Sequence, residues 1–314
     1  MSQQTLAPTR AVQSRPADLK HRFLVGLLGA GIGGSLTPGL HEAEADRLGL
    51  AYTYRLLDLD VLGRHPRGSA ELVRAAADLG YDGLNVTHPS KQLVHESLDE
   101  LSPDARILGA VNTITFRGGR AVGHNTDHMG FIGGLRSGLP SADTNSVVQI
   151  GAGGAGAAVA FGLLGAGGRR LVIADIEPAR AESLAARLAP HFPGSEIVAT
   201  RTDSISESIR KADGLVNTTP VGMTGHPGIP VDPDLLHPGH WVADVIYRPL
   251  ETALLAAARG KGCAVLDGGR MVVGQAAAAF ELFTGVPADA DHMLATFHKA
   301  SSVSHLHRKE GIPR

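Results

Sequence analysis

The sequence predicts an α/β protein of two units, with mainly parallel sheets covered by helices. Three observations carry that expectation. Short apolar runs alternate with segments of helical period along nearly the whole chain. A G-x-G-x-x-G loop follows one of those runs. The residues that could carry chemistry fall into two blocks that meet near Asp127, with a second crossing near Gly268. At 314 residues the chain is long enough for two domains of ordinary size. Its 40 glycines, with 43% hydrophobic and 19% charged residues, suit a compact, tight-looped fold and argue against disorder.

In chain order, "RFLVGLLGAG" reads as a strand entering a glycine-rich loop and "PGLHEAEADRLGL" as a helix with glycine near its end. "AYTYRLLDL" is a second strand, "ELVRAAADLG" a second helix and "YDGLNVTHP" a third strand. "ILGAVNTITF" and "RAVGHNTD" bracket a glycine turn and read as a hairpin. Strands recur in "NSVVQIGAGGAG", "RRLVIADI", "EIVATRT", "ADGLVNTTP", "HWVADVIY" and "CAVLDGG", with helical segments between them. Such repeated strand–helix units imply parallel pairing. Residues 1–20 are polar with two prolines and read as a flexible tail; "SSVSHLHRKEGIPR" at the other end reads the same way.

Composition excludes several classes. The formal net charge is −2, and lysine and arginine are spread thinly, so nucleic acid is not an expected partner. No apolar run reaches membrane-spanning length, and the first 20 residues lack the apolar centre of a signal peptide. The single cysteine, Cys263, cannot form an internal disulfide and reads as a small buried strand residue, which makes a reducing cytoplasm the expected setting.

"VVQIGAGGAGAAVAFGLLGAGGRRLVIAD" places Gly151, Gly153 and Gly156 after an apolar strand and before an alanine-rich helix. The glycines allow a tight turn, close approach of a pyrophosphate and close helix–strand packing. Phosphate would sit on the free N–H groups of the helix N-terminus. Asp175 ends the next strand, roughly 20 residues on, where a carboxylate hydrogen-bonds a ribose 2′-hydroxyl and repels a 2′-phosphate. This order of strand, loop, helix, strand and acid points to a Rossmann-type unit that takes NAD. Arg180 nearby could accommodate a phosphate, so NADP is the alternative cofactor.

In the other block, Asn85, Thr87 and Lys91 follow an apolar strand and flank Pro89; "AVNT" with Asn112 and "GHNTD" with Asn125 and Asp127 come later. Neutral amides and hydroxyls at several strand ends, among Val, Gly and Leu, suit a pocket for a polyhydroxylated small molecule. Lys91 taken alone reads as a solvated surface charge.

Together with "GGSLTP", "GLNVTHPSK", "GAVNT", "GHNTD", "GAGGAG", "VNTTPVGM", "DVIYRP" and "LDGGRMVVGQA", in this order, the chain resembles the shikimate dehydrogenase family from about Phe23 to His298. Within it, Thr37 and Asp175 make it most similar to actinobacterial NAD-dependent quinate/shikimate dehydrogenases. The resemblance implies a substrate-binding domain of residues 21–126 and 268–314, a Rossmann dinucleotide-binding domain of residues 127–267, and an active site in the cleft between them. It implies Lys91 and Asp127 as the catalytic pair and Ser35 and Thr37 as holders of the substrate carboxylate, with Tyr247 nearby. Asn85, Thr87, Asn112 and Gln275 would contact ring hydroxyls. Gly153, Gly154 and Ala155 would meet the pyrophosphate, Asp175 the adenosine ribose, and Thr218, Val245 and Gly268 the nicotinamide half.

The implied reaction is reversible hydride transfer at C3 of a cyclic hydroxy acid, shikimate or quinate, or of its 3-dehydro form. The cofactor carries the hydride and the protein manages one proton. Burial and the Asp127 carboxylate act on the charge of Lys91 in opposite directions, and the pair is expected to titrate as a unit. Ser35 and Thr37 can face one anion together; the same stretch also reads as a helix start, with Thr37 as N-cap and Pro38 following it. His124 and His128 flank Asp127, but no further ligand cluster accompanies them and no metal is expected. His128 departs from the family's usual small or apolar residue beside the aspartate. A monomer or homodimer is expected. The competing readings are an NADP-linked biosynthetic shikimate dehydrogenase and a ligand-sensing domain without turnover.

Overall fold

The computed structural model describes residues 22–310, so the expected tail at residues 1–20 lies outside the described residues. The first unit begins with β1 (Arg22–Gly29), α1 (Thr37–Leu48), β2 (Ala51–Asp58), α2 (Ser69–Asp78) and β3 (Gly83–Val86). It continues with β4 (Glu100–Leu101), α3 (Pro103–Leu108), β5 (Thr113–Arg117) and β6 (Arg120–His124). The strands form a six-stranded sheet ordered β2-β1-β3-β5-β6-β4, and β5 and β6 are the expected antiparallel hairpin about Gly118 and Gly119. "ILGAVNTITF" is not one strand. Ile107 and Leu108 close α3, Gly109 stops that helix in the left-handed region at φ 64°, and β5 starts only at Thr113.

α4 (Asp127–Gly138) leads into a second sheet. β7 (Ser146–Ile150), α5 (Gly154–Gly165), β8 (Arg170–Asp175), α6 (Pro178–Leu188) and β9 (Glu196–Arg201) form its first half. α7 (Ser206–Lys211), β10 (Gly214–Asn217), β11 (Trp241–Asp244), α8 (Ala253–Gly260) and β12 (Ala264–Leu266) form the second. All its pairings are parallel and the order is β12-β11-β10-β7-β8-β9, the doubly wound arrangement in which ligands bind beyond the strand ends where the winding reverses. That reversal lies between β7 and β10, beside the glycine loop.

The chain ends in α9 (Gly269–Thr284) and α10 (Ala290–Glu310), which pack back on the first sheet. Ala279 and Phe283 of α9 join a core with Val25, Leu27 and Tyr54; Met293 and Phe297 of α10 join Leu40 of α1. The expected loose end at "SSVSHLHRKEGIPR" is corrected for its first ten residues, which continue α10 to Glu310. Buried Met293 and Phe297 anchor that helix, and neither glycine nor proline interrupts it before Gly311.

Glycines decide how closely α4 and α9 meet. A Cβ on Gly130 would lie 2.5 Å from the Gln275 backbone nitrogen, and one on Gly274 would lie 2.8 Å from the Gly130 Cα. This contact sets Asp127, the first residue of α4, and Gln275 of α9 around one cleft.

Candidate active site

A cleft of about 400 Å³ is lined from both sheets. Ser35, Thr37, Asn85, Thr87, Lys91, Asn112, Asp127, Ala155, Val245, Tyr247 and Gln275, all expected from the sequence, face it together. A larger cavity of about 750 Å³ between α4, α9 and α10 takes in Asn125 but none of the residues expected to touch substrate or cofactor.

Lys91 sits in a one-turn helix after β3, where Val111 N–H bonds its carbonyl at 2.9 Å. Its Nζ donates to Asp127 Oδ2 at 2.5 Å, and its side chain is 31% exposed, so it opens onto the cleft and not fully into solvent. The other Asp127 oxygen accepts from Asn112 Nδ2 at 2.8 Å. Asp127 also begins α4, whose free N–H groups favour a carboxylate there. The Asn112 amide is committed further: Nδ2 donates to Thr126 Oγ1, and Oδ1 accepts from Thr126 N–H at 2.8 Å and Thr113 Oγ1 at 3.0 Å. Asn112, expected to meet ring hydroxyls, spends both its N–H groups on holding the acid and its neighbour.

Asn85 is buried, with Oδ1 accepting from Tyr54 Oη at 2.8 Å and Nδ2 donating to Thr113 Oγ1 at 3.2 Å. Those two bonds fix which way the amide faces, and one N–H and one lone pair remain for a ligand. Tyr54 was not singled out in the sequence, because its partner lies 31 positions away.

Thr37 is not the N-cap of α1. Leu36 holds that place, with no side-chain cap, and Thr37 is the first helical residue. Its Oγ1 accepts from Ser35 Oγ at 3.2 Å instead, and Ser35 Oγ accepts from Thr37 N–H at 3.3 Å, so the hydroxyl pair itself stands at the start of the helix. Arg248, also missed in the sequence, reaches the same loop from the other sheet: its Nη2 donates to the Gly34 carbonyl at 2.6 Å. The one sequence signal for it was an arginine set between Tyr247 and a proline.

The dinucleotide side is built from backbone. Gly151 has φ 100°, and a Cβ on Gly156 would lie 2.3 Å from the Gly151 carbonyl oxygen. At Gly153 and Gly154 a Cβ would meet nothing within 4 Å, and α5 starts there without a side-chain cap. Open space over uncapped amides fits a dinucleotide's pyrophosphate. Asp175 holds the loop as well: Oδ2 accepts from Ala152 N–H at 2.8 Å and Oδ1 from Glu177 N–H at 2.9 Å. Arg180 is exposed and paired with Glu177 at 2.8 Å. The Thr218 hydroxyl turns to the Ile150 and Gly151 carbonyls at 2.8 and 2.9 Å. Gly268 lies against the Val245 carbonyl, where a Cβ would come to 2.3 Å.

Asp244, beneath the Val245–Arg248 loop, is buried and held by Asn217, Ile246 N–H and Thr252; burial raises its pKa. His128 Nε2 meets Asp104 at 2.9 Å and His124 meets Thr115 at 3.3 Å. Among the described residues no group of three or more His, Cys, Asp or Glu is placed to hold a metal, and no helix is long and apolar enough to cross a membrane.

Known proteins resemble this chain over most of its length. Residues 27–114 match the shikimate dehydrogenase substrate binding domain, and residues 269–296 match the shikimate 5′-dehydrogenase C-terminal domain. A shikimate dehydrogenase (NADP(+)) of Streptomyces avermitilis is 56% identical over 273 residues, 87% of this chain and 94% of that protein. A quinate/shikimate dehydrogenase (NAD(+)) of Corynebacterium efficiens is 47% identical over 276 residues, 88% of this chain and 97% of that protein. A quinate dehydrogenase of Corynebacterium glutamicum, solved in complex with NAD, superposes with a TM-score of 0.84 at 45% identity, covering 88% of this chain and 99% of that one.

Proposed function

The chain belongs to the shikimate dehydrogenase family, and from that premise we propose that it oxidises shikimate to 3-dehydroshikimate and quinate to 3-dehydroquinate, reversibly and with NAD. It is an oxidoreductase acting on CH–OH donors. The observation that carries the chemistry is the Lys91–Asp127 pair in a cleft that also holds Ser35 and Thr37. A dinucleotide held by its pyrophosphate on the glycine loop would supply the hydride chemistry through its nicotinamide. Lys91 Nζ takes the proton from the substrate hydroxyl in oxidation and returns it to the carbonyl oxygen in reduction. Asp127 orients that nitrogen, and Asn112 orients Asp127. Asn85 and Gln275 fix the ring, and the Ser35–Thr37 pair fixes its carboxylate.

Asp175 supports NAD over NADP. Sequence identity does not decide the matter, since the 56% relative is named for NADP and the 47% relative for NAD. The Asp175 carboxylate is held at the end of β8 by two backbone N–H groups, where a 2′-phosphate would meet a negative charge. Arg180, the cation that could offset it, is engaged by Glu177. Measuring kcat/KM for two cofactors against two substrates tests the reading. NAD should be preferred with both acids, and Asp175→Ala should erode the preference by about tenfold, ~1.4 kcal/mol. A wild-type preference for NADP would overturn the NAD assignment, and turnover of neither acid would overturn the activity.

A further inference from the structure

Arg248 has an unusual position for a lone cation. It follows β11, on the dinucleotide side, and is half-buried. Its side chain crosses the mouth of the cleft to a carbonyl 214 positions earlier, that of Gly34, the residue before Ser35. The guanidinium carbon lies 5.7 Å from the centre of the Tyr247 ring, over its face. Its own carbonyl is held by Thr224 N–H at 3.0 Å and Thr224 Oγ1 at 3.2 Å, so the root of the side chain is fixed as well as its tip.

No carboxylate among the described residues forms an ion pair with Arg248, whose side chain reaches only the Gly34 carbonyl and the Tyr247 ring. A guanidinium carries five N–H donors in a fork suited to a carboxylate, and the Gly34 bond uses one. The residue lines the same cleft as Ser35, Thr37 and Lys91. A partly buried, unpaired arginine is a poor structural choice unless an anion completes it.

We propose that Arg248 is a specificity-determining residue for the substrate carboxylate and a clasp between the two halves of the cleft. This rests on the activity proposed above. Ser35 and Thr37 supply hydroxyl donors from the first sheet, and Arg248 supplies the matching cation from the second. A substrate bearing a carboxylate bridges the two, whereas a neutral cyclic alcohol satisfies only one. The negative charge thus selects the substrate and ties the dinucleotide side to the substrate side.

The test is steady-state kinetics of Arg248→Gln and Arg248→Lys with shikimate and with its methyl ester. R248Q should raise KM for shikimate roughly ten- to hundredfold, the range for losing a charge-assisted hydrogen bond, with KM for NAD unchanged. R248K keeps the charge without the fork and should recover part of that loss. The ester, lacking the charge, should be used about equally by wild type and R248Q. Equal losses for acid and ester would make Arg248 a purely structural clasp and overturn the anion role, and so would a rise confined to KM for NAD. Wild-type turnover of shikimate is read first: its absence defeats the activity and the inference together, whereas a normal wild type with an unchanged acid-to-ester ratio in R248Q defeats the inference alone.

Discussion

The two walls of the cleft are built on opposite plans. The substrate wall is made of polar side chains, each held by another: Tyr54 holds Asn85, Asn112 holds Asp127, and Asp127 holds Lys91. The dinucleotide wall presents backbone, and its polar side chains turn inward to support it. Gln149 Nε2 donates to the Gly151 and Gly156 carbonyls, both at 2.9 Å, and Thr218 Oγ1 binds the end of β7. One wall depends on which atoms are present, the other on how closely the chain approaches itself. Substitutions should therefore fail differently, by lost chemistry on the first wall and by lost fit on the second.

The largest effect belongs to the first wall. Lys91→Ala should lower kcat by about a hundred- to ten-thousandfold, the usual worth of a positioned proton-transfer group. Dinucleotide and shikimate binding, followed by fluorescence titration, should persist, because Asn112 still holds Asp127. Near-normal turnover in this variant would break the comparison at its root.

A pair of glycine variants probes the second wall. In Gly156→Ala the new methyl would sit 2.3 Å from the Gly151 carbonyl oxygen and 2.9 Å from Thr218 Oγ1, so backbone must move. Overpacking of this kind costs about 1–3 kcal/mol, which urea denaturation reads directly. Gly153→Ala meets nothing within 4 Å, so its stability should match the wild type while KM for the dinucleotide rises. Equal stability losses for the two would mean that the loop is set by something other than close approach.

The same contrast explains what could be read from the sequence. The glycine spacing, Asp175 and the order of strands were legible because backbone approach imposes residue types at short range. The expected site residues of the substrate wall were legible as types, but not as bonds. Nothing near Asn112 in sequence says that its amide belongs to Asp127, and nothing near Arg248 names Gly34 as its partner. Local rules also misplaced two features. Thr37 before a proline looked like an N-cap, yet its hydroxyl faces Ser35, and the polar 301–310 segment looked loose, yet it continues a helix anchored by Met293 and Phe297. At Thr37 one local contact displaced another, whereas in the last helix tertiary contacts outweighed a local preference.

The smallest effect concerns what lies beneath the substrate wall. His41 of α1 is fully buried, with Nδ1 2.9 Å from Tyr52 Oη and its ring centred 5.0 Å from that of Tyr54, the residue that orients Asn85. Burial lowers its pKa to about 3, so the native protein keeps it neutral, while the unfolded chain takes up a proton near its ordinary value of 6.5. The titratable residues against it are Tyr52, through its hydroxyl, and Tyr54, through its ring, and burial keeps both protonated. The unfolded state then binds more protons than the native state as pH falls below 6.5 and down to about 3. Stability from this group is fully present above that range and is lost through it, at up to ~1.4 kcal/mol per pH unit. Between pH 7.5 and 5.5 the loss should be about 1.4 kcal/mol. His95, His124 and His240 are also lowered by burial and add to the slope, so the informative quantity is the difference between wild type and His41→Gln in urea denaturation at the two pH values. The variant should lose about 1.4 kcal/mol less than the wild type over this interval. An identical pH slope would show that the support beneath Tyr54 and Asn85 is indifferent to acid, and that the side-chain-built wall carries no electrostatic liability there.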